Sequence, residues 1–248
     1  MERAIGGRTT YGHELGILML DTRFPRIPGD IGNALSFPFP VLYRIVEGAS
    51  PRRVVEEADP SLLEPFVAAA KELEKAGARA ITTSCGFLAL FQRELSAAVQ
   101  VPLFSSSLMQ IPLLYEIFGR RGRAGVLTAR SSSLGERHFS ACGASGVPRL
   151  VAGMDDSPLF TRIFLEKGEP GAIPEFDIGE MEKEVVYAAL GLVARDPTIP
   201  FIVLECTNMP PFREAIRRAT GKPVFDIMTL ALGIREGLAG TGGYPCRG

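Results

Sequence analysis

Two similar stretches of this sequence decide the interpretation of its fold. Residues 81–85 read Ile-Thr-Thr-Ser-Cys and residues 202–206 read Ile-Val-Leu-Glu-Cys, so a short β-prone run ends at a cysteine in both. Cys85 and Cys206 are 206 − 85 = 121 positions apart. Identical residues recur at the same offset: Ile81 with Ile202, Phe91 with Phe212, Ala98 with Ala219, Pro102 with Pro223 and Phe104 with Phe225. The sequence therefore predicts a duplicated unit in which each copy reads helix, strand, cysteine, helix, strand.

Short apolar runs alternate with longer amphipathic runs along the chain, which is typical of βα units on a parallel sheet. Six runs are predicted as buried strands: Gly16–Leu20, Ala78–Thr83, Val101–Phe104, Gly125–Thr128, Phe201–Leu204 and Pro223–Phe225. Helices are predicted over Ser61–Ala76, with Ser61 and Glu64 as a capping box, and over Asp177–Arg195. The repeat extends without a gap from about Ser61 to Leu108, so that Phe66 pairs with Tyr187.

These patterns predict an α/β fold of two pseudo-symmetric lobes, each a small parallel sheet flanked by helices. We expect the active site in the cleft between the lobes. The first lobe is predicted over residues 1–112, with Cys85, and the second over residues 113–222, with Cys206. Residues 223–248 are predicted to pack back on the first lobe. At 248 residues the chain is long for one ordinary domain of about 150 and short for two, which fits one catalytic unit built from two halves.

Composition excludes several classes of protein. Hydrophobic residues make up 46% and charged residues 22% of the chain, a balance typical of packed globular proteins rather than disordered or fibrous ones. A net charge of −1 gives no long-range field that would recruit nucleic acid or an anionic membrane. No run approaches the roughly 18 apolar residues of a membrane helix. Residues 1–14 carry no signal or transit pattern, so we expect a cytoplasmic location.

The cysteines are expected to be reduced thiols. No pair has the spacing of a zinc site, and the two histidines, His13 and His138, add none, so we expect no metal. Dinucleotide and phosphate-loop motifs are absent, and we expect no cofactor. A cysteine in such a protein is usually a small buried apolar residue, and we interpret Cys142 and Cys246 in this way.

Cys85 and Cys206 differ because each stands where a strand ends and a helix begins. Unpaired backbone N–H groups and the helix dipole favour a thiolate there and should lower the thiol pKa from about 8.5. The same N–H groups can bind a carboxylate. Two such ends related by a pseudo-twofold axis would place one thiol on each face of a substrate. The long Pro/Gly-rich segment 23–39 follows the first strand and is expected to border this site.

The sequence resembles the aspartate/glutamate racemase superfamily, which includes cofactor-independent amino-acid and hydantoin racemases, maleate isomerase and arylmalonate decarboxylase. The resemblance covers about residues 16–238 and rests on Leu20-Asp21-Thr22, Thr83-Ser84-Cys85-Gly86, Gly125-Val126-Leu127-Thr128-Ala129 and Leu204-Glu205-Cys206-Thr207. It implies that one cysteine, as thiolate, removes an α-proton while the other delivers a proton to the opposite face. It also implies a homodimer or higher homo-oligomer, with Asp21 near Cys85. Further candidates to surround a small carboxylate substrate are Thr83, Ser84, Gly86, Thr128, Thr207 and Asn208.

The sequence thus predicts an isomerase: a cofactor-independent racemase or epimerase of an amino acid or related carboxylate. Two alternatives stay open, a cis–trans isomerase or decarboxylase on the same scaffold, and a small-ligand-binding protein with incidental cysteines. Gly86-Phe87 stand where amino-acid racemases of the family commonly carry Asn-Thr, and Asn208 stands where they often carry His or Glu. These differences argue against aspartate or glutamate as the substrate.

Overall fold

In the computed structural model, which describes residues 6–166 and 173–239, the chain forms two four-stranded parallel sheets. The first contains β1 Leu15–Leu20, β2 Val41–Val46, β3 Ile81–Thr83 and β4 Leu103–Phe104, in the order β2-β1-β3-β4. The second contains β5 Ala124–Thr128, β6 Arg149–Gly153, β7 Ile202–Leu204 and β8 Val224–Phe225, in the order β6-β5-β7-β8. The two sheets share one topology, which confirms the predicted α/β fold of two pseudo-symmetric lobes.

Eight α-helices flank the sheets in the described part of the chain: α1 Leu63–Ala76, α2 Gln92–Ala97, α3 Ile111–Ile117, α4 Glu136–Ala141, α5 Pro158–Phe164, α6 Ile178–Arg195, α7 Arg213–Thr220 and α8 Ile227–Leu238. The two longest, α1 and α6, are the two predicted from the sequence. Helix α6 begins after Asp177, whose Oδ1 accepts the Glu180 N–H at 2.9 Å. Among the residues described, no helix combines the length and the apolar character needed to cross a membrane.

The internal repeat is present in the structure with one shift in register. From β3 onward the offset of 121 holds, because β3 and β7, α2 and α7, and β4 and β8 each begin 121 residues apart. The buried residues of α1 match those of α6 at an offset of 119 instead: Phe66 with Val185, Ala70 with Ala189 and Leu73 with Leu192. Tyr187, which the ungapped register pairs with Phe66, is 80% exposed. The ungapped repeat is therefore wrong over this helix, because the segment between α6 and β7 is two residues longer.

A helix from each half of the repeat packs against the sheet of the other half. Helix α8 buries Ile227 and Met228 against β1, in a cluster that includes Leu15 and Ile17. Phe118, at the end of α3, contacts Phe201 and Phe225 beside the second sheet, with ring centroids 5.1 and 6.5 Å apart. The last described part of the chain therefore contacts both sheets: β8 joins the second sheet, and α8 covers the first.

Two local predictions need correction. The capping box of Ser61 and Glu64 is wrong, because Asp59 accepts both the N–H and the hydroxyl of Ser61, and a short 3-10 turn at Pro60–Leu62 precedes α1. The edge strands β2 and β6 were not predicted. Each pairs with one neighbour only and is partly exposed, so neither forms a fully buried apolar run.

The Pro/Gly-rich segment 23–39 packs between the lobes. Ile31 and Phe37 are buried in the cluster that also holds β1 and α8. Phe24 meets Phe164 of α5 edge to face, with ring centroids 4.9 Å apart. The segment therefore follows the first sheet yet contacts the second lobe, at the edge where β1 ends.

The register shift generates a stability prediction. Phe66→Ala is expected to lower the free energy of unfolding by about 3–5 kcal/mol, because a fully buried ring leaves a cavity. Tyr187→Ala, at the ungapped partner position, is expected to stay within about 0.5 kcal/mol. Denaturant unfolding of both variants measures the difference, and equal losses would contradict the shifted register.

Candidate active site

A small cavity lies where the carboxyl ends of β3 and β7 meet. Its volume is about 30 Å³, and it brings together six of the predicted residues: Ser84, Cys85, Gly86, Cys206, Thr207 and Asn208. Leu20, Val55, Phe87 and Phe164 make much of the remaining wall apolar. A larger recess of about 1150 Å³ adjoins the cavity, and Phe24 and Phe164 line both. The recess thus meets the cavity beside Phe24, at the start of segment 23–39.

The two thiols sit at equivalent positions of the repeat. Cys85 follows β3 and is the N-terminal cap of a short 3-10 helix, Gly86–Phe91. The backbone N–H groups of Phe87 and Leu88 hydrogen-bond its sulfur. The Asn208 N–H does the same for Cys206, two residues after β7. Backbone N–H donors are therefore in place at both cysteines, at a helix start for Cys85 as expected, but for Cys206 in a turn before the 3-10 helix Pro210–Phe212.

The site raises the pKa of both thiols, whereas the sequence analysis expected a lowered pKa. Burial, then the nearby Glu205, raise the pKa of Cys85 to about 12, although the N–H groups and Arg26 act to lower it. Burial and Glu205 also raise the pKa of Cys206 well above its ordinary value. The predicted lowering is wrong because desolvation outweighs the hydrogen bonds when a sulfur is fully enclosed.

A polar network fixes the surroundings of Cys206. Its thiol donates to Asn208 Oδ1 at 3.7 Å, and Asn208 Nδ2 donates to Asp30 Oδ2 at 2.8 Å. Asp30 is 2% exposed and forms an ion pair with Arg26 at 2.7 Å. The Arg26 guanidinium also donates to Thr22 Oγ1 at 3.1 Å. Because the Asn208 amide is held in this orientation, its oxygen faces the sulfur and favours the neutral thiol.

Three predicted residues lie outside the cavity lining. Thr83 Oγ1 is buried, and its one proton has two acceptors within reach, the Ser105 carbonyl at 2.7 Å and the Cys85 carbonyl at 2.9 Å. Thr128 Oγ1 donates to Glu205 Oε2 at 2.6 Å. Asp21 is exposed along the recess, where its Oδ2 accepts the Gly48 N–H at 3.3 Å. Their hydrogen bonds support the walls of the site rather than its interior.

Glu205 is the titratable cavity residue that sequence reasoning missed. It is fully buried, lines the cavity and directly precedes Cys206. Burial raises its pKa to about 7, and the Thr128 hydrogen bond acts in the opposite direction. A signal existed in the sequence, since Glu205 is the one charged residue in the buried run from Ile199 to Met209. The equivalent position of the first copy, 205 − 121 = 84, holds serine.

Gly86 is required by the position of Glu205. A Cβ on residue 86 would lie 2.3 Å from Glu205 Oε1 and 2.4 Å from the Glu205 carbonyl oxygen. The carbonyl belongs to the backbone and cannot move aside cheaply. A residue with a Cβ at position 86 therefore overlaps the backbone of residue 205 in this arrangement, whichever side chain residue 205 carries.

Gly86→Ala is accordingly expected to destabilise the fold by about 1–3 kcal/mol, because the added methyl overlaps the Glu205 backbone. Gly191→Ala is the matched control: it lies inside α6, where a Cβ meets nothing within 4 Å. That control is expected to gain about 0.5–1 kcal/mol from helix propensity. Thermal unfolding distinguishes them, and a neutral Gly86→Ala would contradict the close contact.

A pH dependence of stability follows from Glu205. Its pKa is higher in the folded chain, about 7 against the ordinary 4.5, so folding favours the protonated form. This contribution is fully present below pH 4.5 and is lost as the pH rises through about 7. The melting temperature of the wild type relative to Glu205→Gln is therefore expected to fall between pH 5 and pH 8. A constant difference over that range would contradict the raised pKa.

Comparisons with known proteins identify close relatives. The chain is 33% identical to the dimethylsulfoniopropionate lyase of Durusdinium sp. clade D over 224 residues, which is 88% of this chain and 72% of that protein. It is 30% identical to dimethylsulfoniopropionate lyase 7 of Emiliania huxleyi, covering 87% of this chain and 64% of that protein. It thus spans under two thirds of the Emiliania relative. No family model matches the chain.

Solved structures share the fold at low sequence identity. Unliganded arylmalonate decarboxylase aligns with a TM-score of 0.59 and 18% identity, covering 93% of this chain and 94% of that one. Glutamate racemase of Bacillus anthracis aligns with a TM-score of 0.57 and 15% identity, covering 91% of this chain and 81% of that one. Allantoin racemase of Pseudomonas fluorescens aligns with a TM-score of 0.56 and 17% identity, covering 94% of both chains. These likenesses confirm the architecture of the aspartate/glutamate racemase superfamily.

The predicted activity needs correction. The relatives at 27–33% identity are lyases, which overturns the prediction of an isomerase and of a racemase or epimerase. The error has a chemical cause. Racemisation and elimination can both begin with removal of a proton next to a carboxylate, so a pair of buried thiols is compatible with either. The chain thus shares its fold with solved racemases and arylmalonate decarboxylase, and it belongs to the dimethylsulfoniopropionate lyase family.

Proposed function

We propose that this protein is a lyase that cleaves dimethylsulfoniopropionate into dimethyl sulfide and acrylate. The observation that carries the proposal is the 33% identity to the Durusdinium lyase over 88% of the chain. Two thiols and a carboxyl group around one small cavity support it, because the reaction needs a base held against a small carboxylate.

The reaction is a β-elimination. A base removes a proton from the carbon next to the carboxylate, and the C–H electron pair forms the new double bond. The bond from the β-carbon to sulfur breaks, and its electron pair leaves with the neutral sulfide. Because the leaving group departs uncharged, the step needs no electron sink, in keeping with the expectation of a cofactor-independent enzyme.

Cys85 is the better candidate for the base. The Arg26 guanidinium acts to lower its pKa, whereas Asp30 and Cys85 itself act to raise the pKa of Cys206. The Cys206 thiol also donates its proton to Asn208 Oδ1, which favours the neutral form. In this proposal the Cys85 thiolate takes the proton and the Cys206 thiol forms the opposite wall.

The cavity suits both charged ends of the substrate. Phe24, Phe87 and Phe164 line it, and aromatic faces attract cations such as a sulfonium. The Ser84 and Thr207 side chains that line the cavity are hydroxyl groups of the kind that can hydrogen-bond a carboxylate. The cytoplasmic location and the homo-oligomer stay predictions.

The test is dimethyl sulfide release from dimethylsulfoniopropionate, followed by headspace gas chromatography. The wild type is expected to release it, and Cys85→Ser to lose about 10²-fold or more, because the hydroxyl is a far weaker base at neutral pH. Cys206→Ser is expected to lose less, since a hydroxyl can still donate to Asn208 Oδ1.

Cys142→Ala is the matched control. Cys142 is also buried, but it does not line the cavity, so its loss is expected to leave the rate unchanged. Tight binding without release by the wild type would favour the ligand-binding alternative. Full activity of Cys85→Ser would remove Cys85 as the base.

A further inference from the structure

Glu205 carries a feature that neither the fold nor the two thiols explain. One carboxylate oxygen, Oε2, accepts the Thr128 hydroxyl at 2.6 Å. The other, Oε1, is buried and has no hydrogen-bond partner among the residues that the structure describes. Enclosing a carboxyl group without a full set of partners is costly, and native proteins seldom do so outside functional sites. A role in the chemistry would account for this cost.

The orphaned oxygen points to the first cysteine loop. Oε1 is 2.3 Å from the position that a Cβ of Gly86 would occupy, so it lies against the residue that follows Cys85. Glu205 itself directly precedes Cys206. Its charge acts on both sulfurs, since ionised Glu205 raises the pKa of Cys85 and of Cys206. The carboxyl group therefore lies within electrostatic reach of both thiols in one desolvated space.

Such a space accommodates one negative charge far better than two. A thiolate beside an ionised Glu205 would place like charges together where water cannot screen them. A thiolate beside a neutral carboxyl group avoids that repulsion. Deprotonating a thiol therefore costs less when Glu205 takes up a proton in the same event than when Glu205 stays ionised.

We propose that Glu205 is the proton acceptor for the Cys85 thiol, so that the reactive state pairs a Cys85 thiolate with a neutral Glu205. The proposal rests on the proposed function for the identity of the substrate, but the proton exchange itself is a property of the free protein. It assigns an acid–base role to a residue that the two-cysteine scheme leaves idle.

The protons and electrons balance over one turnover. The Cys85 S–H bond breaks, its proton goes to the Glu205 carboxylate, and its electron pair stays on sulfur. The thiolate removes the substrate α-proton, the double bond forms, and the electron pair of the C–S bond leaves with dimethyl sulfide. Cys85 is then a thiol again, and the neutral Glu205 releases its proton to water. The sum is one substrate giving one sulfide, one acrylate and one proton.

The other charged and titratable groups near the two thiols and Glu205 have partners or stay neutral. Arg26 and Asp30 pair with one another on segment 23–39, and the Asp30 carboxylate also accepts from Asn208. Cys142, after α4, has its pKa raised to about 12 by burial and by Glu205, so it stays a thiol. The Thr128 hydroxyl is the group that lowers the pKa of Glu205.

The first experiment measures alkylation of Cys85 by iodoacetamide between pH 5 and pH 9.5, by mass spectrometry of the peptide. In the wild type the rate should rise through about pH 7 and then level, because the reactive form arises by loss of one shared proton. In Glu205→Gln the thiol must lose its proton to water, so the rate should keep rising about tenfold per pH unit. The same profile in both proteins would overturn the proposal.

Two further variants provide a second test of the proposal and a control. Thr128→Val keeps the carboxyl group but removes its donor, so the midpoint of the profile should shift to higher pH, and an unchanged midpoint would count against the proposal. This variant decides the matter if Glu205→Gln fails to fold, as judged by thermal melting. Glu214→Gln, an exposed glutamate paired with Arg217, is the control and should leave the profile unchanged.

The second experiment compares alkylation with turnover. In the wild type the release of dimethyl sulfide should level above about pH 7, whereas in Glu205→Gln both release and Cys85 alkylation should keep rising to pH 9, since the Cys85 thiolate is the base in both proteins and a repelling charge is gone from the variant. A merely structural role would lower both, and would overturn the proposal. If the wild type releases no dimethyl sulfide, the proposed function fails, and the alkylation profiles still decide the role of Glu205.

Discussion

Two hydrogen bonds between the lobes hold the cysteine loops face to face, and the rest of the site depends on them. Thr207 Oγ1 donates to the Ser84 carbonyl at 2.6 Å, which joins the residue after one cysteine to the residue before the other. Ser107 Oγ donates to the Leu204 carbonyl at 2.7 Å, at the end of β7. The Ser84 N–H is in turn bound to the Leu18 carbonyl of β1. Since all these groups are buried, each bond satisfies backbone that water cannot reach. The two cysteine loops are therefore held together by buried hydroxyl-to-carbonyl hydrogen bonds that are anchored in both sheets.

Desolvation governs the chemistry of the space enclosed in this way. Burial is the largest cause of the raised pKa of Cys85, Cys206 and Glu205. Backbone N–H groups that hydrogen-bond the sulfurs lower the pKa of both thiols, but their effect is smaller than that of burial. An enclosed site of this kind keeps its groups neutral at rest and makes any thiolate a strong base. The same scarcity of water favours elimination, because a carbanion-like charge next to a carboxylate is not quenched by a stray proton.

The sequence predicted the architecture because its signals were local and repeated. The short runs that end at Cys85 and Cys206 define strands, and their offset of 121 defines the duplication. Both cysteines were predicted as cavity residues from position alone.

The ungapped helix register was wrong because a length change in a loop leaves no mark on a periodic pattern. Glu205 was missed because the sequence shows a charged residue within an apolar run but not the cavity around it, which only the packing of the two lobes creates. The reaction type was wrong because it depends on the group on the β-carbon of the substrate, and that group leaves no fixed signature in the residues that remove the proton.

The exchange of helices between the halves has a consequence for how ligands can enter. Helix α8 covers the first sheet and the end of α3 packs beside the second, so each half is completed by the other. Pulling the lobes apart as rigid bodies would strip a helix from both sheets and expose apolar surface at once. A hinged opening of the clam-shell type is thus unfavourable for this topology. Movement of the side chains shared by the recess and the cavity, Phe24 and Phe164 among them, offers a way in that leaves both sheets covered.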